Sequence, residues 1–328
     1  MDNLAHALAG AVLAESGLKR RTALATATLI IGANFPDVDV LAIPFGEELT
    51  FRRGWTHGVL ALVVLPFVLT AIMTGWNRFF RRKGEGDDAR PFLRREILLL
   101  SFIGILSHPA LDWLNTYGLR WLMPFDGTWF YGDALFIVDP WLWLILLSGF
   151  VVARRRNSIR LGRIALGAAA AYMLLMLGGS LFGKHLIIRG IDEFGISPRE
   201  VMVGPVAMNP NRRQVVMVED DAYLLGTLDF LPRPRLRVAE IMVPLGWEHP
   251  AVSLIGNEPE AARFLSWSRY PFFQVTGSDT SFTVTMDDAR YSDGRSRSWA
   301  AVTVQVQPPR MRPEFQLQGV ETAMLSAP

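Results

Sequence analysis

The sequence predicts an α-helical membrane domain of about six apolar helices, followed by a smaller β-rich extramembrane domain. Three observations predict it. Long apolar runs fill the first half of the chain. Short Lys/Arg clusters separate those runs, as in loops beside membrane helices. From about Arg189 the runs become short and β-rich, with Gly, Pro, Asn and Asp between them. Half of the 328 residues are hydrophobic and the mean hydropathy is +0.24. That is too apolar for an ordinary soluble enzyme of this length.

The first helix is expected from Leu4 to Glu15 and the second from Thr22 to Asn34. Both are too short to cross a bilayer, which takes about 20 apolar residues. The third, Gly58 to Trp76, is the clearest span. The fourth runs from about Phe92 to His108, the fifth starts at Pro140, and the sixth covers Leu161 to Gly183. The third and sixth reach full length, and the fourth and fifth come close. Pro109 predicts that His108 ends one helix and Asp112 sits in the next turn, because proline is poorly tolerated deep in a helix.

Orientation follows from the basic clusters. Lys19-Arg20-Arg21 follows helix one. Arg78, Arg81-Arg82-Lys83 and Arg90 to Arg95 follow helix three. Arg154-Arg155-Arg156, Arg160 and Arg163 follow helix five. One assignment puts all of them on the cytoplasmic side. The other loops, and everything after helix six, then lie outside. The N-terminus has no basic stretch ahead of its apolar part, so a cleaved signal peptide is not expected. Domains are expected at 1–188 (helical) and 189–328 (β-rich). The loop "RRKGEGDDARP" reads as flexible and charged. The expected strands are "RRQVVMVED", "AYLLGTLDF", "RLRVAEIMV", "FFQVTG", "SFTVTM" and "AAVTVQVQ".

With no cysteine, disulfides and thiolate zinc sites are excluded. The net charge is only +2 and no basic tract is interleaved with aromatics, so a nucleic-acid partner is not expected. Three of the 5 histidines, His6, His57 and His108, fall at ends of apolar helices. The topology puts those ends on the outer side, together with Asp37, Asp39 and Asp112. A His at a helix end is more often interfacial or capping. Four segments bringing His or Asp to one membrane face instead predict a shared metal site, because charged groups at membrane depth are costly unless paired or functional. His108 and Asp112, like Asp2 and His6, are four apart and share a helix face. Imidazole and carboxylate without thiolate suit Zn²⁺, Mn²⁺ or Fe²⁺. Asp37 and Asp39 are each open to a turn, a ligand or a general-base role. Arg52 and Arg53 read either as surface charges or as phosphate holders. Asn115 and Tyr117 shape a turn. Asp139 reads as a helix cap or a partner of a metal-bound His, and Asp133 is a weaker candidate. His185, His249, Arg263, Trp267 and Arg269 read as structural.

The stretches "MDNLAHALAG", "ANFPDVDVL", "FRRGWTHGVL", "SHPALDWLNTYG" and "GDALFIVDPW" together resemble the YdjM family of bacterial inner-membrane metal-dependent hydrolases. The resemblance covers roughly the first half of the chain. One departure is Ala5, where a Thr is expected before the His. The family is distantly similar to the zinc-dependent phospholipase C and single-strand nuclease superfamily. The resemblance implies a divalent metal, Zn²⁺ first, held by His6, Asp39 (or Asp37), His57, His108 and Asp112; on the hydrolase reading Asp37 is then the candidate general base and Arg53 the candidate to neutralise a phosphoryl oxygen. With no His between His108 and His185, it implies one or two ions rather than three. It also implies a hydrolase in contact with the lipid bilayer, acting on a phospholipid or other phosphoester. The stretches "EPEAARFLSWSRYPFF" and "DDARYSDG" are similar to a C-terminal extension in longer members of the family. The alternative is a membrane-anchored binding or scaffold protein whose metal is structural.

Overall fold

The structure is a computed structural model that describes residues 1–45, 53–80, 90–191, 195, 197–278, 281–292 and 298–307. Arg52, the cluster Arg81-Arg82-Lys83 and most of "RRKGEGDDARP" lie outside the described residues.

The helical region holds α1 (Asn3–Glu15), α2 (Ala25–Gly32), α3 (Val59–Phe79), α4 (Arg94–Trp113), α5 (Pro140–Arg155) and α6 (Ile159–Gly190), with a 3-10 stretch at Phe35–Phe45. Among the described residues three helices are long and apolar enough to cross a membrane: α3, α4 and α6. The fifth falls short of that length because α5 ends after 16 residues.

Burial separates the three candidates. Half of the apolar window of α4 is buried, against 17% for α3 and 22% for α6. The α4 helix is therefore the central one. Its buried stripe passes through Ile97, Leu100, Ser101, Gly104, Ile105, His108, Leu111 and Asp112, the three-to-four spacing of one helix face. The helix runs through Pro109, so His108 and Asp112 sit on one continuous helix, contrary to the break expected there. Pro109 only removes the N–H that would have bonded to the Ile105 carbonyl.

Helix α2 crosses α4 where two glycines meet. A Cβ on Gly32 would lie 3.2 Å from the Gly104 Cα, and a Cβ on Gly104 would lie 3.1 Å from the Leu29 carbonyl oxygen. Small residues at such crossings let backbones approach closely. This crossing brings the C-terminal end of α2 against His108.

The second region is two antiparallel sheets with two short helices between them. The first sheet has the order β1-β2-β3-β4: β1 (Glu200–Val206), β2 (Asn209–Val218), β3 (Ala222–Asp229) and β4 (Arg235–Pro244). Then come α7 (Pro250–Leu254) and α8 (Pro259–Trp267). The second sheet is β5 (Pro271–Ser278), β6 (Ser281–Asp288) and β7 (Val302–Val306), in that order. The register pairs Met202 with Val216 and Val216 with Leu225, which lines up one buried face. Strand β1 and the two helices were not among the expected elements. Helix α6 continues to Gly190, past the expected boundary at 188.

The sheets sit on the end of the helical region that carries Asp112. The Arg290 Nη1 donates to the Thr116 carbonyl at 2.8 Å, and the Arg213 Nη1 donates to the Ala134 carbonyl at 3.1 Å. The rings of Tyr117 and Trp267 pack with centroids 5.0 Å apart.

Candidate metal centre

Four side chains from three segments converge at the C-terminal end of α4. The stripe described above carries His108 and Asp112 into the interior. The 3-10 stretch after α2 brings Asp37, and the turn before α3 brings His57. Among the described residues, Asp37, His57, His108 and Asp112 each offer one ligand atom within 4.8 Å of the others. The Nε2 atoms of His57 and His108 are 3.0 Å apart. The Asp112 Oδ2 lies 3.3 Å from the His108 Nε2 and 3.4 Å from the His57 Nε2. The Asp37 Oδ1 lies 3.4 Å and 3.8 Å from the same two nitrogens.

The far side of each ring fixes its protonation. His108 donates from Nδ1 to the Ala33 carbonyl at 2.6 Å, a bond only a protonated Nδ1 can make. The Thr56 hydroxyl donates to Asp39 Oδ2 at 3.2 Å, which leaves its oxygen to accept from the His57 Nδ1 at 2.9 Å. With Nδ1 protonated, each ring in its neutral form presents its Nε2 lone pair to the centre. Burial holds the His57 imidazole below its usual range, which favours that neutral form. Two nitrogen lone pairs face the buried Asp112 Oδ2, which has no hydrogen-bond donor of its own. Such an arrangement could hold a cation.

The spacing fits one. Tetrahedral Zn²⁺ ligands at about 2.0–2.1 Å lie about 3.3 Å from one another. Five of the six edges run from 3.0 Å to 3.8 Å, and the sixth, between Asp37 and Asp112, is within 4.8 Å. A metal-bound His normally gives its other N–H to a carbonyl or carboxylate partner; His108 gives its own to the Ala33 carbonyl, and His57 reaches the Asp39 carboxylate through the Thr56 hydroxyl.

Residues 1–185 match the model of the YdjM inner membrane protein family. The chain belongs to this family. No curated protein and no solved structure matches it. The family match ends within α6, so the two sheets lie outside it.

Not every site residue expected from the sequence enters the group of four. His6 stacks on His108 with centroids 3.8 Å apart, and its Nε2 lies 3.2 Å from Asp112 Oδ1, the oxygen turned away from the centre. Asp39 stands behind His57: its Oδ2 accepts from the Arg53 backbone N–H at 3.0 Å and is 3.6 Å from the His57 Nδ1. Asp37, the nearer carboxylate, takes the place expected of Asp39.

Arg53 is also turned inward. Its Nη1 donates to Asn115 Oδ1 at 2.9 Å, its Nη2 is 3.3 Å from Asp112 Oδ1, and its head lies over the Tyr117 ring. The guanidinium is committed to protein groups and holds Asp112 in place. It does so from a left-handed backbone, φ 52°, an unusual conformation for a non-glycine residue. Asn115 Oδ1 also accepts from the N–H groups of Tyr117 and Gly118, so it shapes the turn as expected.

The outlying carboxylates have other partners. Asp2 caps α1 and accepts from the Trp143 indole, and Asp139 caps α5 and accepts from the Tyr172 hydroxyl. Asp133 accepts from Arg269 at 2.9 Å. His249 caps α7, and His185 is exposed on α6. Sequence reasoning missed Thr56 and the Ala33 carbonyl. Thr56 had a signal in its position next to His57, whereas a main-chain carbonyl leaves none.

Proposed function

We propose that the chain is an integral membrane metal-dependent hydrolase whose His/Asp centre lies at the outer face of the inner membrane. Its proposed substrate is a phosphoester, lipid-derived because the centre sits at a membrane end. The carrying observation is the convergence of Asp37, His57, His108 and Asp112, with both imidazoles held as Nε2 donors from behind.

Contacts among the basic clusters support the orientation. Arg90 donates to the Lys19 carbonyl, Arg154 to Glu15, and Arg163 to the Ser16 carbonyl. These contacts gather the C-terminal end of α1, the approach to α4 and the α5–α6 turn at the end opposite the centre. By the positive-inside rule that end is cytoplasmic.

A divalent ion held by the four residues would supply Lewis-acid chemistry and a water nucleophile near neutral pH. His57, His108 and Asp112 are fully enclosed, whereas the Asp37 side chain is 19% exposed. Asp37 is therefore the group that an incoming water or substrate reaches, and the one placed to accept a proton there. Arg53 acts through Asp112 rather than on the substrate.

The test uses purified protein with bis-p-nitrophenyl phosphate and with phospholipid vesicles. His108→Ala and Asp112→Ala should each abolish metal-dependent turnover while the protein stays in the membrane. Asp37→Asn should lower turnover more than metal content. Wild-type turnover in both alanine variants would refute the proposal.

One observation favours a second reading, a membrane-anchored binding or scaffold protein with a structural metal. Four protein ligands complete a tetrahedral shell, the pattern of structural zinc sites, whereas catalytic sites keep a position open. On that reading chelator lowers thermal stability sharply and no substrate is turned over.

A further inference from the structure

Away from the metal centre, α6 presents an apolar face that the sheets only partly cover. A groove of about 630 Å³ runs between Leu174, Leu175 and Phe182 of α6 and Pro210, Phe230 and Leu231 of the second region. That volume lies in the range of small-molecule sites, roughly 300–1,000 Å³. The three α6 residues are exposed, and they belong to a helix long and apolar enough to cross a membrane. The groove therefore opens toward lipid rather than water.

Its floor is not apolar. Arg213 of β2 lines the groove and lies across Gly179, where a Cβ would come within 3.2 Å of its Nη2. The side chain is 1% exposed. Its Nη1 donates to the Ala134 carbonyl at 3.1 Å and its Nη2 to the Met176 carbonyl at 2.9 Å, while its buried Nε has no acceptor. Among the described residues no carboxylate forms an ion pair with it. Asp139, the acid whose field reaches it, spends its oxygens on the Leu142 N–H and the Tyr172 hydroxyl. A buried guanidinium whose partners are two carbonyls and the Met176 sulfur, all uncharged, keeps most of its desolvation cost. An anion at the groove floor would offset that cost with charge-assisted hydrogen bonds.

We propose that this groove holds one phospholipid, with an acyl chain along Leu174 to Phe182 and the phosphate diester on Arg213. The site shares no residue with the His/Asp centre and does not depend on hydrolysis there.

The test is lipid retention by the full-length protein in detergent, read by native mass spectrometry with phosphatidylglycerol and diacylglycerol as probes. Gly178 supplies the decisive variant. It lines the groove, and a Cβ there meets nothing within 4 Å, so Gly178→Leu fills the groove without a backbone clash. Gly167→Leu is the control: it too has open space at its Cβ, on the same helix but outside the groove.

Wild type and Gly167→Leu should retain one phosphatidylglycerol per chain through detergent exchange, preferring it about tenfold over diacylglycerol. Gly178→Leu should lose about tenfold of that retention, and Arg213→Gln should lose the preference. Equal retention by wild type and Gly178→Leu, or no preference for phosphatidylglycerol in wild type, would overturn the proposal. Should Arg213→Gln fail to fold, the Gly178→Leu comparison decides alone.

Discussion

Thr56→Val is the sharpest probe of the candidate metal centre, because Thr56 bonds to His57 and to none of the other three groups that face the centre. Its hydroxyl sits between the His57 Nδ1, at 2.9 Å, and the Asp39 Oδ2, at 3.2 Å. Valine keeps the shape and removes both bonds. The His57 ring then loses the partner that fixes its tautomer and orientation, with only Asp39 remaining at 3.6 Å. Loss of such an outer partner typically costs about 10–100-fold in metal affinity, or about 1.4–2.7 kcal/mol. The metal-free fold should lose about 1–3 kcal/mol for the two hydrogen bonds at a half-buried site. The assay is Zn²⁺ and Mn²⁺ titration of detergent-purified protein against a competing chelator, with thermal unfolding of the metal-free protein alongside. The expected result is a Kd weakened by ten- to a hundredfold, with a fall in metal-free Tm no larger than the loss of those two bonds accounts for. An unchanged Kd in Thr56→Val, together with a large loss in His57→Ala, would show that the back-bond to Thr56 does not orient the ring. A large fall in metal-free Tm with normal affinity would make Thr56 a folding residue only.

Two further predictions follow from the packing. Gly104→Val should push α2 away from α4, since a Cβ at Gly104 already lies 3.1 Å from the Leu29 carbonyl and 3.3 Å from the Ala33 nitrogen. It should cost about 1–3 kcal/mol as an overpacked contact and weaken metal binding by separating His108 from the Ala33 carbonyl; tight binding in a folded Gly104→Val protein would refute that linkage. In the second region, burial pushes the Asp288 carboxyl up, but Arg290 and the hydrogen bonds from Arg290 and Ser268 more than offset it and hold it below the usual range. A carboxylate lowered in this way stabilises the fold above its unfolded value of about 3.9, and that stability is lost as pH falls further toward the folded value. Tm measured against pH should therefore drop below about pH 4. Asp288→Asn should already be destabilised at pH 7, by about 3–5 kcal/mol, because it leaves Arg290 buried and unpaired. A flat profile from pH 7 to 3 would refute the assignment.

The residue types of the centre were legible in the sequence because helix ends concentrate polar groups where an apolar run stops. His57, His108, Asp37 and Asp112 stand out against Leu and Val for that reason. Which carboxylate faces the centre was not legible. Asp37 and Asp39 are two apart in a 3-10 stretch, where successive side chains turn by a third of a circle, so each faces a different partner. Composition cannot choose between them. The setting of Arg53 was not legible for a related reason. A cation next to a metal motif suggests an anionic substrate, but its left-handed backbone folds it back onto Asp112 and Asn115. In the second region alternation revealed strands β2 to β7. Strand β1 was hidden because its near-continuous buried run, from Val201 to Pro205, has no alternation to detect.

The centre also explains how α4 tolerates ionisable groups along its buried stripe. Isolated at membrane depth, His108 and Asp112 would each carry a desolvation cost of several kcal/mol. Here the Asp112 Oδ1 is met by Arg53, by His6 and by the amino group of Met1, while Oδ2 is left facing the imidazole lone pairs. One oxygen is neutralised by the protein and the other is left without a donor. A carboxylate needed only to brace the helices would gain by having both oxygens satisfied. The asymmetry is what a metal ligand would need, and it points to a candidate ion site more directly than the spacing of His108 and Asp112 does.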